Sequence, residues 1–394
     1  MRILKMKVKG LKFFEDDLEI DFLTKQPLRN VNAGILYEIA PRIYQNNALA
    51  LIGVNASGKT MTLKVISFAI QLLNNESINN IKGNEILKGL KGTEEIVFET
   101  YFCTHLKTIY KLETRIRKEA GENESEGRYY IFAEEIWHKE IKSVKTRKSI
   151  YESESFKLNL VRENEEEYLP KDVSIVIALN KRNDSQIYCK DLIDWTNINI
   201  MRMIGRGKIQ EELITFLDPS IEYLRVDEFD EKKLDIRLKF KKADEIQIHS
   251  PRELASYLSS GTMKGINIFL NAMLVLRKGG YLIIDELENH FNKEIAATLV
   301  GFFTNHKVNR KGATLLFSTH YPELLDQFER NDSIFIIRNA KGIRADNLSD
   351  LLKRNDKKKS EVYQSGYLQG TTPVYETYME LKKAIIQYCD EVQE

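Results

Sequence analysis

The stretch Gly53-Val54-Asn55-Ala56-Ser57-Gly58-Lys59-Thr60 fits the spacing GxxxxGK[ST]. A loop of this kind can cradle phosphates: its glycines let backbone N–H groups turn inward, and a helix that follows adds the positive end of its dipole. Gly53, Asn55, Ser57 and Gly58 would line such a loop, Lys59 would reach the β- and γ-phosphates of ATP, and Thr60 would hold Mg²⁺. A second constellation is Tyr281-Leu282-Ile283-Ile284-Asp285-Glu286, an apolar run that ends in two carboxylates. Packing gives a buried strand no reason to end in adjacent acids. Beside a phosphate loop they have one, with Asp285 coordinating Mg²⁺ through water and Glu286 polarising the attacking water as general base. Two further stretches belong with these. Leu258-Ser259-Ser260-Gly261-Thr262 places small and hydroxyl residues just before an apolar-periodic segment, which taken alone is also the make-up of an ordinary helix cap. Leu315-Leu316-Phe317-Ser318-Thr319-His320 is an apolar run ending in histidine.

The elements that must carry these residues can be read from hydrophobic period. Strand-like stretches at 3–9 and 18–22 open the chain, and the apolar run 48–52 predicts a strand leading into the phosphate loop. Leu63, Val65, Ile66, Phe68, Ala69 and Leu72 mark the core face of the helix after it. Strand character returns at 94–112. From 113 to 183 charge density is high, with acidic runs at 119–126 and 163–167 and a basic one at 142–148, and this reads as a solvated surface. The spacing predicts a helix over 187–217 and strands at 221–226 and 234–240. After Pro251 come a helix at 264–276, a turn at Lys278-Gly279-Gly280, a strand at 281–284, a helix at 294–303, a strand at 313–317, a helix start at 321–323 and a strand at 333–337. Such alternation argues for a mostly parallel sheet covered by helices. The expected class is α/β: a P-loop ATPase head with a mixed or parallel sheet and flanking helices, interrupted by an inserted α+β or helical subdomain. The expected division is 1–104 and 251–347 for the two parts of the head, 105–250 for the insertion, and 348–394 for a helical tail ending in a helix at 373–388. There is no internal repeat and no sustained heptad pattern, so a long coiled-coil arm is not expected.

Composition bounds the function. The 394 residues carry 59 Lys+Arg against 58 Asp+Glu, a formal net charge of +1, which gives no support to the whole molecule being a nucleic-acid binder. No run approaches the roughly 18 apolar residues that span a bilayer, and residues 1–9 alternate charged with apolar residues and lack the apolar core of a signal peptide. A cytoplasmic location without membrane contact is expected. Cys103, Cys189 and Cys389 lie far apart with no CxxC pair, so neither a disulfide framework nor a zinc site is implied.

Taken together, these motifs resemble the ABC-type ATPases of the RecF/SMC branch, whose head is assembled from the two ends of the sequence. Residues 258–262, one helix, a Gly-Gly turn and the Asp-Glu strand reproduce the layout of the ABC signature segment, usually Leu-Ser-Gly-Gly-Gln. Lys9-Gly10-Leu11-Lys12-Phe13-Phe14 is similar to the opening strand and turn of that branch. Asp285-Glu286-Leu287-Glu288-Asn289-His290-Phe291 is similar to the Asp-Glu-Pro-Glu stretch of OLD-like ATPases. The tail, with Leu348-Ser349-Asp350-Leu351, Gly370 and Pro373, resembles ATPase subunits of anti-phage abortive-infection systems such as PARIS and the Rlo-type proteins. The resemblance implies that Ser259, Ser260 and Gly261 act in trans on the γ-phosphate of a second subunit, so that ATP glues a head-to-tail homo-oligomer. It implies that His320 senses the γ-phosphate and, with Glu286, is catalytic. Residues 321–394 leave no room for a fused nuclease, so a separately encoded effector, expected to be a nuclease, is the implied partner. The alternative is a RecF-like repair or recombination ATPase on duplex DNA, with Lys353, Arg354, Lys357, Lys358 and Lys359 as its phosphate contacts. The pattern departs from the family at Ser260, Thr262 and Leu287, and no glutamine near Phe102 fills the usual linking loop.

Overall fold

The computed structural model describes residues 1–27, 35–91, 93–119, 127–162, 169–183, 186–194, 209–230, 233–289, 292–353, 357–368, 370 and 375–391. The strands in chain order are β1 (Arg2–Lys9), β2 (Leu18–Asp21), β3 (Leu36–Ala40), β4 (Ile43–Asn46), β5 (Ala48–Ile52), β6 (Ile96–Cys103), β7 (Thr108–Lys118), β8 (Tyr129–Glu140) and β9 (Lys157–Arg162). They continue with β10 (Cys189–Asp191), β11 (Ile221–Asp230), β12 (Lys233–Phe240), β13 (Glu245–Ile248), β14 (Tyr281–Ile284), β15 (Thr314–Thr319), β16 (Ile334–Asn339) and β17 (Ile343–Asn347). Two six-stranded sheets dominate. One runs β2-β1-β6-β7-β8-β9, antiparallel throughout; the other runs β10-β14-β15-β5-β16-β17, parallel except for the terminal β16–β17 pair.

Residue alternation explains the layering. In β5 the side chains of Leu49 and Leu51 enter one core, while Ala48, Ala50 and Ile52 enter another, as a period of two requires of a strand covered on both faces. The first core is filled by the Lys59–Leu73 helix and closed on its far side by Ile3, Met6, Val8, Phe98 and Leu112 of the antiparallel sheet, with Phe68 stacked on Phe98 at 5.2 Å between centroids. The second core lies under the Ser260–Lys278 and Lys293–Thr304 helices, through Phe269, Ala272, Val275, Leu299 and Phe303. The result is a central sheet with flanking helices, as the sequence predicts. A third, smaller core joins β11-β12-β13 to the Glu211–Leu217 and Pro251–Tyr257 helices through Ile214, Ile236, Leu238 and Leu254.

Three elements differ from the sequence-based expectation. The predicted helix over 187–217 is not one element: Cys189–Asp191 is a short parallel strand beside β14, and only Glu211–Leu217 is helical, with 195–208 outside the described residues. The charge-rich stretch contains β8 and β9, which extend the N-terminal sheet, and the expected junction at 104/105 falls in the turn between adjacent β6 and β7. Charges on one face of β7 pair across strands, Lys111 with Glu99 at 3.1 Å and Arg117 with Glu95 at 3.0 Å, while Leu112 and Ile116 on the opposite face are buried. At Pro322–Gln327 the chain makes a 3₁₀ turn rather than a regular α-helix.

The segment after β2 is tied to the C-terminal part of the chain. Asp332, fully buried, accepts from the backbone of Lys25 at 2.7 Å and Gln26 at 2.9 Å and pairs with Arg330 at 2.6 Å. Breaking such a pair by removing one partner costs about 3–5 kcal/mol, because a buried charge is left uncompensated.

Candidate active site

The phosphate-loop residues lie where the parallel strands end. β5 delivers Gly53, and the Lys59–Leu73 helix begins as Gly58 turns through φ 98°. Two close approaches explain the glycines. A Cβ on Gly53 would stand 2.3 Å from the Ile337 carbonyl oxygen, and one on Gly58 would stand 2.5 Å from the Ile343 side chain. Ala56 also sits at positive φ, 59°, and its carbonyl accepts from Asn339 Nδ2 at 3.1 Å. Paired left-handed positions of this kind turn successive N–H groups into one concavity. Ser57 is buried and its Oγ has no hydrogen-bond partner among the described residues, while Asn55 and Thr60 are exposed.

β14 brings Asp285 and Glu286 alongside, and β15 brings His320. Thr60 Oγ1 donates to Asp285 Oδ2 at 2.6 Å. Lys59 Nζ donates to the carbonyls of Gly53 and Val54, both at 3.0 Å, and lies 3.4 Å from His320 Nδ1. His320 Nε2 in turn lies 3.6 Å from Glu286 Oε1. One imidazole therefore bridges the loop lysine and the exposed carboxylate. Glu286 holds φ 49°, unusual for a residue with a side chain, and such strain persists only where surrounding bonds enforce it. Here its N–H donates to Ser318 Oγ at 2.7 Å, while the Ser318 hydroxyl donates to Asp285 Oδ1. Asn289 Nδ2 donates to Glu286 Oε2 at 3.3 Å; His290 and Phe291 lie outside the described residues.

Three contributors escape a reading by motif. Ser318 ties both acids to β15. Glu288 is buried, accepts from the backbone N–H of His320 and leaves Oε2 without a partner among the described residues. Lys264, on the second turn of the Ser260–Lys278 helix, faces Glu286, Glu288 and Asp285; burial pushes its amine down and those carboxylates oppose the shift. Burial likewise pushes the Lys59 amine below its usual value, against the pull of Asp285, Glu288 and Glu286. The only sequence signals for these residues are a hydroxyl inside an apolar strand and a second acid beyond the Asp-Glu pair.

The donor set suits the groups named from sequence. Thr60 and Asp285 offer adjacent hard oxygens of the kind Mg²⁺ takes, and the loop combines a glycine cradle with an orphaned buried hydroxyl. Ser259, Ser260 and Gly261 stand apart: Ser259 caps the Ser260–Lys278 helix, its Oγ accepting from Thr262 N at 3.0 Å. Among the described residues no hydrogen bond joins 259–261 to the phosphate loop. Ser259 and Ser260 are exposed.

No curated protein matches the chain. A family described as an AAA domain, "putative AbiEii toxin, Type IV TA system", matches residues 49–326. That span covers more than half of the chain and runs from β5 to just beyond His320, so it contains Lys59, Thr60, Asp285, Glu286 and His320. The chain belongs to this family of P-loop ATPases, which is associated with abortive-infection and toxin–antitoxin systems.

Proposed function

We propose that the protein is an ATP-hydrolysing, nucleotide-dependent dimerising switch of an anti-phage defence system, within the OLD-like, PARIS and Rlo-type branch, and that it controls a separately encoded effector. The observation that carries this reading is the convergence of Lys59, Thr60, Asp285, Glu286 and His320 at the ends of three adjacent parallel strands. Gly53, Asn55, Ser57 and Gly58 bind the phosphates with Lys59. Thr60 and Asp285 hold Mg²⁺, which when bound neutralises charge on the β- and γ-oxygens. Glu286 takes a proton from the water that attacks the γ-phosphorus, and ADP leaves. His320, placed between Lys59 and Glu286, reports whether the γ-phosphate is there. Ser259, Ser260 and Gly261 complete the site of a second copy, so hydrolysis releases the pair.

A protein partner is supported by the Tyr375–Glu391 helix, where Tyr378, Leu381, Ile385 and Tyr388 are more than half exposed. The duplex-DNA alternative has less support at 353–359. Lys359 is buried near Asp326 and Glu329, Lys358 pairs with Glu361 at 3.6 Å, and Arg354 lies outside the described residues.

Lys59→Ala and Glu286→Gln provide the test. Lys59→Ala should abolish nucleotide binding. Glu286→Gln should keep binding and lose turnover by about 10²–10⁴-fold, the range for a general base. Unchanged turnover and unchanged phage protection in the double variant would overturn the reading.

A further inference from the structure

At the opposite end of β14 from Asp285, about 13 Å away by strand rise, the molecule has a second concavity of about 1170 Å³. Its walls come from seven separate places: the start of β1, the β3–β4 ribbon, the β6–β7 turn, the turn around Ile141–Val144, the approach to β10 at Gln186 and Tyr188, the Gly279-Gly280 turn, and Lys311 before β15. Five cations line it, Arg2, Lys107, Lys142, Lys278 and Lys311, and Glu38 is the one acid among the described lining residues. The whole chain is balanced at 59 basic against 58 acidic residues, so this is a local concentration of one sign. Among the described residues none of the four lysines has a carboxylate within ion-pair distance, and all four are exposed. Gathering like charges in a cleft raises the local concentration of counter-ions.

The floor is preformed. A Cβ on Gly280 would stand 2.1 Å from the Tyr188 carbonyl oxygen, and one on Gly312 would stand 2.1 Å from the Tyr37 ring. Arg2 is committed to the structure: its guanidinium donates to the carbonyls of Lys311 and Gly312 and stacks on Tyr37 at 3.9 Å. That commitment bears on the ligand. The planar fork that matches a carboxylate two-fold is used up, and what remains are lysine point charges, which suit phosphates spaced along a chain. The volume exceeds the roughly 300–1,000 Å³ of ordinary small-molecule pockets, so the cleft has room for more than one phosphate group.

We propose that this cleft is a second anion site, separate from the phosphate loop, which binds a phosphodiester chain a few nucleotides long. Its source is either the end of a nucleic-acid strand or a free short oligonucleotide. The test uses Lys59→Ala protein, to remove binding at the phosphate loop, and fluorescein-labelled single-stranded oligonucleotides of about four and about twenty nucleotides, followed by anisotropy. Binding should weaken steeply as salt rises, because counter-ions are released. Adding Lys142→Glu and Lys311→Glu should weaken it at least about tenfold, with an unchanged thermal midpoint. Lys107→Gln with Lys278→Gln should weaken it in the same direction, should the charge reversal disturb folding. Equal affinity for both lengths assigns the site to a free oligonucleotide, and tighter binding of the longer one assigns it to a strand. Binding that is absent, that survives both variant pairs, or that polyglutamate displaces as well as the oligonucleotide does would overturn the proposal.

Discussion

At the level of single residues, legibility in the sequence follows from how local a signal is. Lys59, Thr60, Asp285 and Glu286 are read from short spacings because a loop and a strand end are each made by consecutive residues. Ser318 and Glu288 are not, because their importance exists only once β15 lies beside β14. Ser318 is the sharper case, since its one hydroxyl accepts from the Glu286 N–H and donates to Asp285. Ser318→Ala should remove the acceptor of the part-buried Glu286 N–H, costing about 0.5–1.5 kcal/mol, and should free the metal-facing carboxylate to rotate. We expect a higher Mg²⁺ concentration for half-maximal ATPase activity, with nucleotide binding retained. A Mg²⁺ titration of turnover checks this, and an unchanged requirement would refute the role given to Ser318.

For the elements, the strongly periodic stretches around the site are foreseen within a few residues, as with Tyr281–Ile284 and Ser260–Lys278. In the middle of the chain the strands at 221–226 and 234–240 are foreseen as parts of β11 and β12, but β8, β9 and β10 are not. β8 carries charges on both faces, with Glu134 and Lys139 buried and its register shifted, and the abundance of Lys and Glu hides the alternation that Leu112, Thr114 and Ile116 keep on β7. Cys189–Asp191 is too short to announce itself, being a three-residue strand defined by its neighbour. Lys139 on β8 shows how tightly this charge-rich region is nevertheless packed. Its amine donates to the Ser149 carbonyl at 2.6 Å and to Ser155 Oγ at 2.9 Å, lies 4.0 Å over the Phe156 ring, and is pushed by burial to about 8 from the ordinary 10.5. Between those two values the unfolded chain keeps a proton that the folded chain has shed. Folding stability from this group therefore rises as pH climbs from about 8 toward 10.5, and no such gain exists below 8. Urea unfolding at pH of about 7.5 and 9.5 should show the rise, and Lys139→Met should reduce it. An equal rise in the variant would exclude Lys139 as its source.

For the whole molecule, one chain presents a nucleotide loop on one side and an exposed Ser259-Ser260 cap elsewhere, with no hydrogen bond between them among the described residues. A two-fold pair of chains joins these surfaces in the proposed switch. Gly261→Asp should then block ATP-induced dimers by placing a carboxylate against the γ-phosphate, while each chain still binds ATP. Light scattering of the Glu286→Gln protein, with and without Gly261→Asp, checks this; dimers that survive the added charge would rule the arrangement out. The phosphate loop has a further property. Gly53 and Gly58 pack against Ile337 and Ile343, Ala56 is held by Asn339, and β5 lies between β15 and β16. All of these partners are synthesised nearly three hundred residues later. During translation the loop is therefore made early but shaped late, so a nascent chain should gain nucleotide affinity only after the strands through β17 have left the ribosome, and a truncated product would stay silent.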